Sequence, residues 1–239
     1  MGRIATVVAG MSPVLVPLSF GAGDQLRLQA DTAATSGGDY GPRQIVDELG
    51  VIAAHPGQFL AASYLLYLAA LLSIPALLTI WRLAAHASPR WAWAGAVMAA
   101  LGVVGQSVHL VAYFGINRVL AEQPDAIAAS GLRLALESDL LMSSLFAPFF
   151  LALVCFVPQA VALRRAAVIP TWACLSVITG TVLFVVVGSQ PWSSALWTLL
   201  LVVGFAPATA AVLRERSPLK DDPRPSNPTT PRSLALPGS

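Results

Sequence analysis

Charge is what this chain has least of. Only 11% of its 239 residues are Asp, Glu, Lys or Arg, against about 25% in a soluble globular domain. That deficit excludes a water-soluble domain of this size and leaves the lipid bilayer as the solvent. Lysine is nearly missing: thirteen of the fourteen basic residues are Arg, which with abundant alanine reads as the coding bias of a GC-rich bacterium. Cysteine occurs only at Cys155 and Cys174, too few for a disulfide scaffold. The net charge of +2 is scattered over short loops and one tail, so no basic face is offered to nucleic acid. Catalytic signatures are missing too. There is no Gly-x-Ser-x-Gly elbow, phosphate loop, Gly-x-Gly-x-x-Gly or His-Glu-x-x-His. No apolar run carries the series of Arg or carboxylates expected of an ion-coupled pump. The chain therefore reads as having no nameable catalytic residue, no metal set and no cofactor, and it leans away from an enzyme.

What is present is apolar sequence, 56% hydrophobic with a mean hydropathy of +0.71. Five long runs and a shorter first one cover about 4–20, 56–85, 91–116, 140–163, 168–188 and 194–213. Every run beyond the first can cross a hydrocarbon core about 30 Å thick at about 1.5 Å per residue. The first is marginal and contains Gly10, Pro13 and Pro17. With Arg3 before it and Gly21-Ala22-Gly23 after it, a cleaved signal peptide is its competing reading.

Loop charges set an orientation. Ten of the fourteen basic residues fall at the N-terminus, in the second-to-third and fourth-to-fifth loops, and in the tail. Nine of the twelve acids fall in the opposite loops. Cytoplasmic loops carry the excess of Arg and Lys, so the expectation is an all-α polytopic transmembrane helix bundle. It has about six spans and both termini in the cytoplasm of a bacterial plasma membrane. Residues 1–215 form this domain, with a polar outer loop over 21–55. The tail, 216–239, is polar, holds Pro218, Pro223, Pro225, Pro228 and Pro231 among its residues, and is expected to be disordered.

Candidate site residues gather on the outer side. Gln106, His109, Tyr113 and Asn117 are spaced three, four and four apart and share one helical face. Gly95 and Gly102 give a smooth surface on nearly the same side, where a neighbouring helix can approach. His55 and Gln58 open the second long run, and Glu137 and Asp139 lead into the fourth, with Ser143 one turn below. The hypothesis is a polar pocket built from these residues. Two imidazoles and two carboxylates can ligate a metal, and two imidazoles alone a haem iron. Proton or substrate handling is the other use, since ionisable groups inside a bundle mark such paths. The plain reading competes: His55 and Glu137 as hydrated interfacial residues, and His109 as a packing residue with one hydrogen bond. No His-x-x-x-His or Glu-x-x-His spacing occurs.

Other features read as architecture. Thr171, Ser176, Thr179 and Thr181 can bond back to their own helix carbonyls. Trp81, Trp91 and Trp93, with Trp192 and Trp197, suit the aromatic belts at the two interfaces. Pro75, Pro148, Pro158 and Pro207 are expected to kink their helices. Cys155 and Cys174 lie at matching depths near the reducing side, where small buried hydrophobes are expected rather than a disulfide.

The turn Arg164-Arg165-Ala166-Ala167-Val168-Ile169-Pro170-Thr171-Trp172 resembles the basic turn and helix-opening proline of a bacterial family of six-helix integral membrane proteins of unknown function. A first helix, a long polar outer loop and paired helices on short inner loops also match. The resemblance covers about residues 1–215. It implies the same architecture and transfers no activity, because that family has no assigned catalytic residues.

The functional expectation is binding or transport of a small molecule or lipid through an outward-facing polar pocket. A structural or accessory subunit is the alternative, held to a second copy or a membrane partner through Gly95, Gly102 and the outer loop. A haem- or metal-binding redox protein is the second alternative, resting on His55 and His109.

Overall fold

The computed structural model describes residues 3–31 and 42–215. The tail expected to be disordered, and the middle of the polar loop, lie outside the described residues. Among the described residues every regular element is a helix. Five helical stretches are long and apolar enough to cross a membrane: Val7–Gln29, Pro56–Ala84, Pro89–Ala121, Leu140–Arg165 and Pro191–Arg214. A sixth apolar helix, Thr171–Val187, is shorter at 17 residues.

In chain order the elements are α1 (Arg3–Asp31), α2 (Pro42–Ala54), α3 (Pro56–Ala84) and α4 (Pro89–His109). A π-helical segment, Leu110–Ile116, joins α4 to α5 (Asn117–Ala121). There follow α6 (Ala126–Ser138), α7 (Leu140–Phe146), α8 (Phe149–Val154), α9 (Phe156–Arg165), α10 (Thr171–Val187) and α11 (Pro191–Glu215). Proline opens α2, α3, α4 and α11, where its missing N–H would have no intrahelical partner. Asp125 caps α6 by accepting from the Ile127 and Ala128 amides.

Two departures from the sequence reading matter for the site. Residues 21–31 continue α1 instead of opening a loop. Val16, Phe20, Asp24 and Leu28 are all buried at four-residue steps, so one inward face runs straight past the end of the apolar run. The polar stretch also contains α2, which buries Ile45, Leu49 and Ile52 at the spacing of an amphipathic helix.

The fourth apolar run, expected as one helix over 140–163, is broken into α7, α8 and α9. Pro148 lies at the first break; it cannot donate to the preceding turn, and its ring crowds the carbonyl four residues back. The second break is at Cys155, three residues before Pro158. Pro75 and Pro207, in contrast, sit inside continuous helices. The broken segment lies against the glycine face of α4. A Cβ at Gly105 would meet the backbone of Pro148 and Phe149, and one at Gly102 the backbone of Ala152. Only glycine lets these two chains run so close.

The helices pack antiparallel. Gln58 Nε2 donates to the Leu26 carbonyl at 3.0 Å, and Thr79 Oγ1 to that of Ala9 at 2.8 Å, pinning α3 to α1 at both ends. Gln25 Nε2 donates to the Pro191 carbonyl at 2.6 Å, joining α1 to α11. Ser176 Oγ donates to the Leu200 carbonyl at 2.8 Å, joining α10 to α11. Gln106 Nε2 reaches the Leu66 carbonyl at 3.2 Å and ties α4 to α3. Phe20, Phe184 and Trp197 form an aromatic centre, with ring centroids 5.0 Å (Phe20–Trp197) and 5.1 Å (Phe184–Trp197) apart. Trp197 is only 1% exposed, so it belongs to this core and not to an interfacial belt. Its neighbours Phe20 and Phe184 lie on two other helices, α1 and α10, which is why local hydropathy could not place it. Cys155 and Cys174 are both buried and free.

The bundle therefore has two unlike ends. One, the arginine end, carries Arg82, Arg90, Arg164, Arg165 and Arg214. The other, the capped end, is where α2, α5 and α6 meet.

Candidate functional site

His109 and Tyr113 stand at the capped end, where α4 passes into the π-helical segment. A π-helical turn is wider than an α-turn and recurs at functional sites. Here the two rings stack, with centroids 5.3 Å apart and planes inclined by 21°. Phe149 and Phe146 press on the imidazole at 4.5 and 5.1 Å.

This stacked pair is a wall shared by two cavities. The first, about 340 Å³, is lined by Asp24, Arg27, Gln106, Phe149, Phe184 and Ser189 besides the pair itself. The second, about 310 Å³, is lined by Asn117, Arg133, Glu137, Met142, Ser143 and Phe146 on the other side.

Each chamber contains an ion-paired cluster. In the first, Asp24 is 5% exposed. Its Oδ1 accepts from Arg27 Nη2 at 2.8 Å and from Arg27 Nε at 3.1 Å. Ser189 Oγ donates to Asp24 Oδ2 at 2.6 Å and accepts from Arg27 Nη2 at 2.9 Å. In the second, Arg133 is likewise 5% exposed. Its Nη1 donates to Glu48 Oε2 at 2.6 Å and its Nε to Glu137 Oε1 at 2.9 Å. The first cluster locks α1 to the loop after α10, and the second locks α6 to α2. Charges buried this way persist because each has its partner; an unpaired one would cost several kcal/mol, roughly.

The guanidiniums also face one ring. Arg27 Cζ and Arg133 Cζ each lie 5.9 Å from the Tyr113 centroid, at the outer limit of a cation–π contact. Deeper in the wall, Asn117 is 2% exposed, and its Nδ2 has no hydrogen-bond partner among the described residues.

Of the residues singled out from sequence, Gln106, His109 and Tyr113 line the first chamber, and His109, Tyr113, Asn117 and Glu137 the second. Ser143 also lines the second chamber, while His55, Gln58 and Asp139 stand apart. His55 is exposed at the junction of α2 and α3 and lines neither chamber. Gln58 is engaged with the Leu26 carbonyl. Asp139 caps α7 by accepting from the Met142 amide at 2.9 Å. Glu137 and Asp139 are not on one helix, since α6 ends between them at Ser138. Among the described residues no group of three His, Cys, Asp or Glu side chains is placed to hold a metal ion.

Sequence reasoning missed Asp24, Arg27, Ser189, Glu48 and Arg133. The first two read from sequence as loop charges because the apolar run ends at Phe20. Their three-residue spacing is the helical signal that was available. Glu48 and Ser189 carried no local signal, since each is defined only by a partner far along the chain. Comparison with known proteins found no match: no family model, no curated protein and no solved structure is similar to the chain.

Proposed function

We propose that the chain is a six-span bacterial plasma-membrane protein, with both termini cytoplasmic, that binds a small molecule or lipid in the two chambers. The five arginines gathered at one end support that orientation, and α10 supplies the sixth span. The capped end then faces outward, and the chambers lie in the outer half of the bundle.

One observation carries the binding reading: Tyr113 divides two cavities and lies between two ion-paired arginines, Arg133 buried and Arg27 half-buried. Ligand sites are typically about 300–1,000 Å³, apolar-walled, with a few placed polar groups, and both chambers have that form. Asn117 adds a buried amide in need of an acceptor. Ion pairs that served packing alone would not need empty volume beside them.

Native mass spectrometry of the protein purified in mild detergent tests this. The expected result is a bound molecule on the wild type, lost or at least tenfold depleted in His109→Leu and Tyr113→Ala. A clean mass for all three proteins would overturn it. The structural-subunit reading is second, favoured by Ile127 and Leu132, which lie exposed on α6 at the capped end. It expects a membrane partner that is lost on Ile127→Asp.

A further inference from the structure

The first chamber is thinly walled on one side. Phe150 on α8 and Val185 on α10 both line it, yet they are 57% and 53% exposed on the outer surface of the bundle. In the membrane reading that surface is acyl chain. Helix α10 packs chiefly on α11 and α9 and meets α8 only sparsely, so the gap between α8 and α10 is where the wall is thinnest. Gly188, at φ 80°, ends α10 there and turns Ser189 back onto Asp24.

The polar floor is charge-balanced. Asp24 and Arg27 are the carboxylate and guanidinium lining this chamber, and they are paired with each other. Both carboxylate oxygens are already engaged, Oδ1 by Arg27 and Oδ2 by Ser189. A charged head entering would have to displace that pair or remain without a counter-charge in a low-dielectric site, and either is costly. A hydroxyl or carbonyl head can share hydrogen bonds with the cluster and leave it intact. The volume, about 340 Å³, is at the small end for ligand pockets. It suits a small head and the start of one chain.

Building on the binding function proposed above, we infer that the first chamber takes an uncharged single-chain amphiphile directly from the bilayer. Its chain lies between α8 and α10, and its hydroxyl or carbonyl head meets the Asp24–Arg27–Ser189 cluster.

Two probes of equal chain length test this: 1-oleoylglycerol, with an uncharged hydroxyl head, and oleate, with a carboxylate. Each is added to the full-length protein in phosphatidylcholine nanodiscs, and retained adducts are read by native mass spectrometry. Wild type is expected to retain 1-oleoylglycerol at least tenfold better than oleate. Val185→Trp, which fills the gap from the lipid side, is expected to lose the adduct. Val186→Trp, on a neighbouring residue that lines neither chamber, is expected to keep it and so controls for folding. Equal retention by the two tryptophan variants overturns lateral entry, and oleate binding as well as 1-oleoylglycerol overturns the uncharged head. In either of those cases adducts that still vanish in Tyr113→Ala leave the chamber as a binding site. Adducts indifferent to Tyr113→Ala remove the chamber itself and the binding function with it.

Discussion

Arg133 holds two acids at once, Glu48 at 2.6 Å and Glu137 at 2.9 Å, from a nearly inaccessible position. Removing one member of such a buried group strands a charge, so Arg133→Ala should cost roughly 3–5 kcal/mol. A clear fall in the thermal unfolding midpoint in detergent is the expected readout. Most of that loss should be recovered in Arg133→Met combined with Glu48→Leu, because an apolar pair removes the desolvation cost together with the attraction. Glu137, at the rim, stays hydrated in both variants. Asp24→Asn belongs to the same logic on the other side of Tyr113: it leaves the Arg27 guanidinium without its carboxylate, so the preference for 1-oleoylglycerol over oleate should shrink or reverse. At this scale the sequence showed His109, Tyr113 and Asn117 because they repeat on one helix. It hid Glu48 and Ser189, whose roles exist only across the fold.

The α4 helix illustrates how an element can be right in outline and incomplete in detail. Gly95 and Gly102 marked a smooth face from sequence alone, and that face receives α8 and α9. Gly105 makes the closest approach on this face. Gly105→Ala should destabilise by about 1–3 kcal/mol, since its Cβ meets backbone that has no rotamer to change. Gly50 is the control: it lies inside α2 with nothing within 4 Å of a built Cβ. Gly50→Ala should stabilise by about 0.5–1 kcal/mol through helix propensity alone. Thermal midpoints of the two variants with opposite signs would confirm the contrast. The continuation of α1 past Phe20 was not legible because Asp24 occupies a place in its buried stripe that an apolar residue would normally take. The fourth run could be read as apolar but not as broken, because proline kinks some helices and leaves Pro75 and Pro207 inside continuous ones.

At the scale of the whole molecule, the proposed orientation rests on the distribution of arginine. A cysteine placed at Gln123, in the turn between α5 and α6, should react with an impermeant maleimide in intact cells. One placed at His86, between α3 and α4, should react only after lysis. Both native cysteines are buried, so background labelling is expected to be low; the reverse pattern would invert the topology. The long apolar stretches were evident from hydropathy because that signal is local. The way they surround a chamber was not, because it depends on which helices become neighbours. The shortest of them has a consequence for the lipid itself. At about 1.5 Å per residue, the 17 residues of α10 extend only about 26 Å, several ångströms less than a typical hydrocarbon core. As the proposed sixth span, α10 would require the bilayer around it to thin, and the protein should then favour thin bilayers over thick ones. Unfolding midpoints in nanodiscs of 14-carbon lipids should exceed those in 20-carbon lipids, and in a cell the same preference would act as a sorting signal.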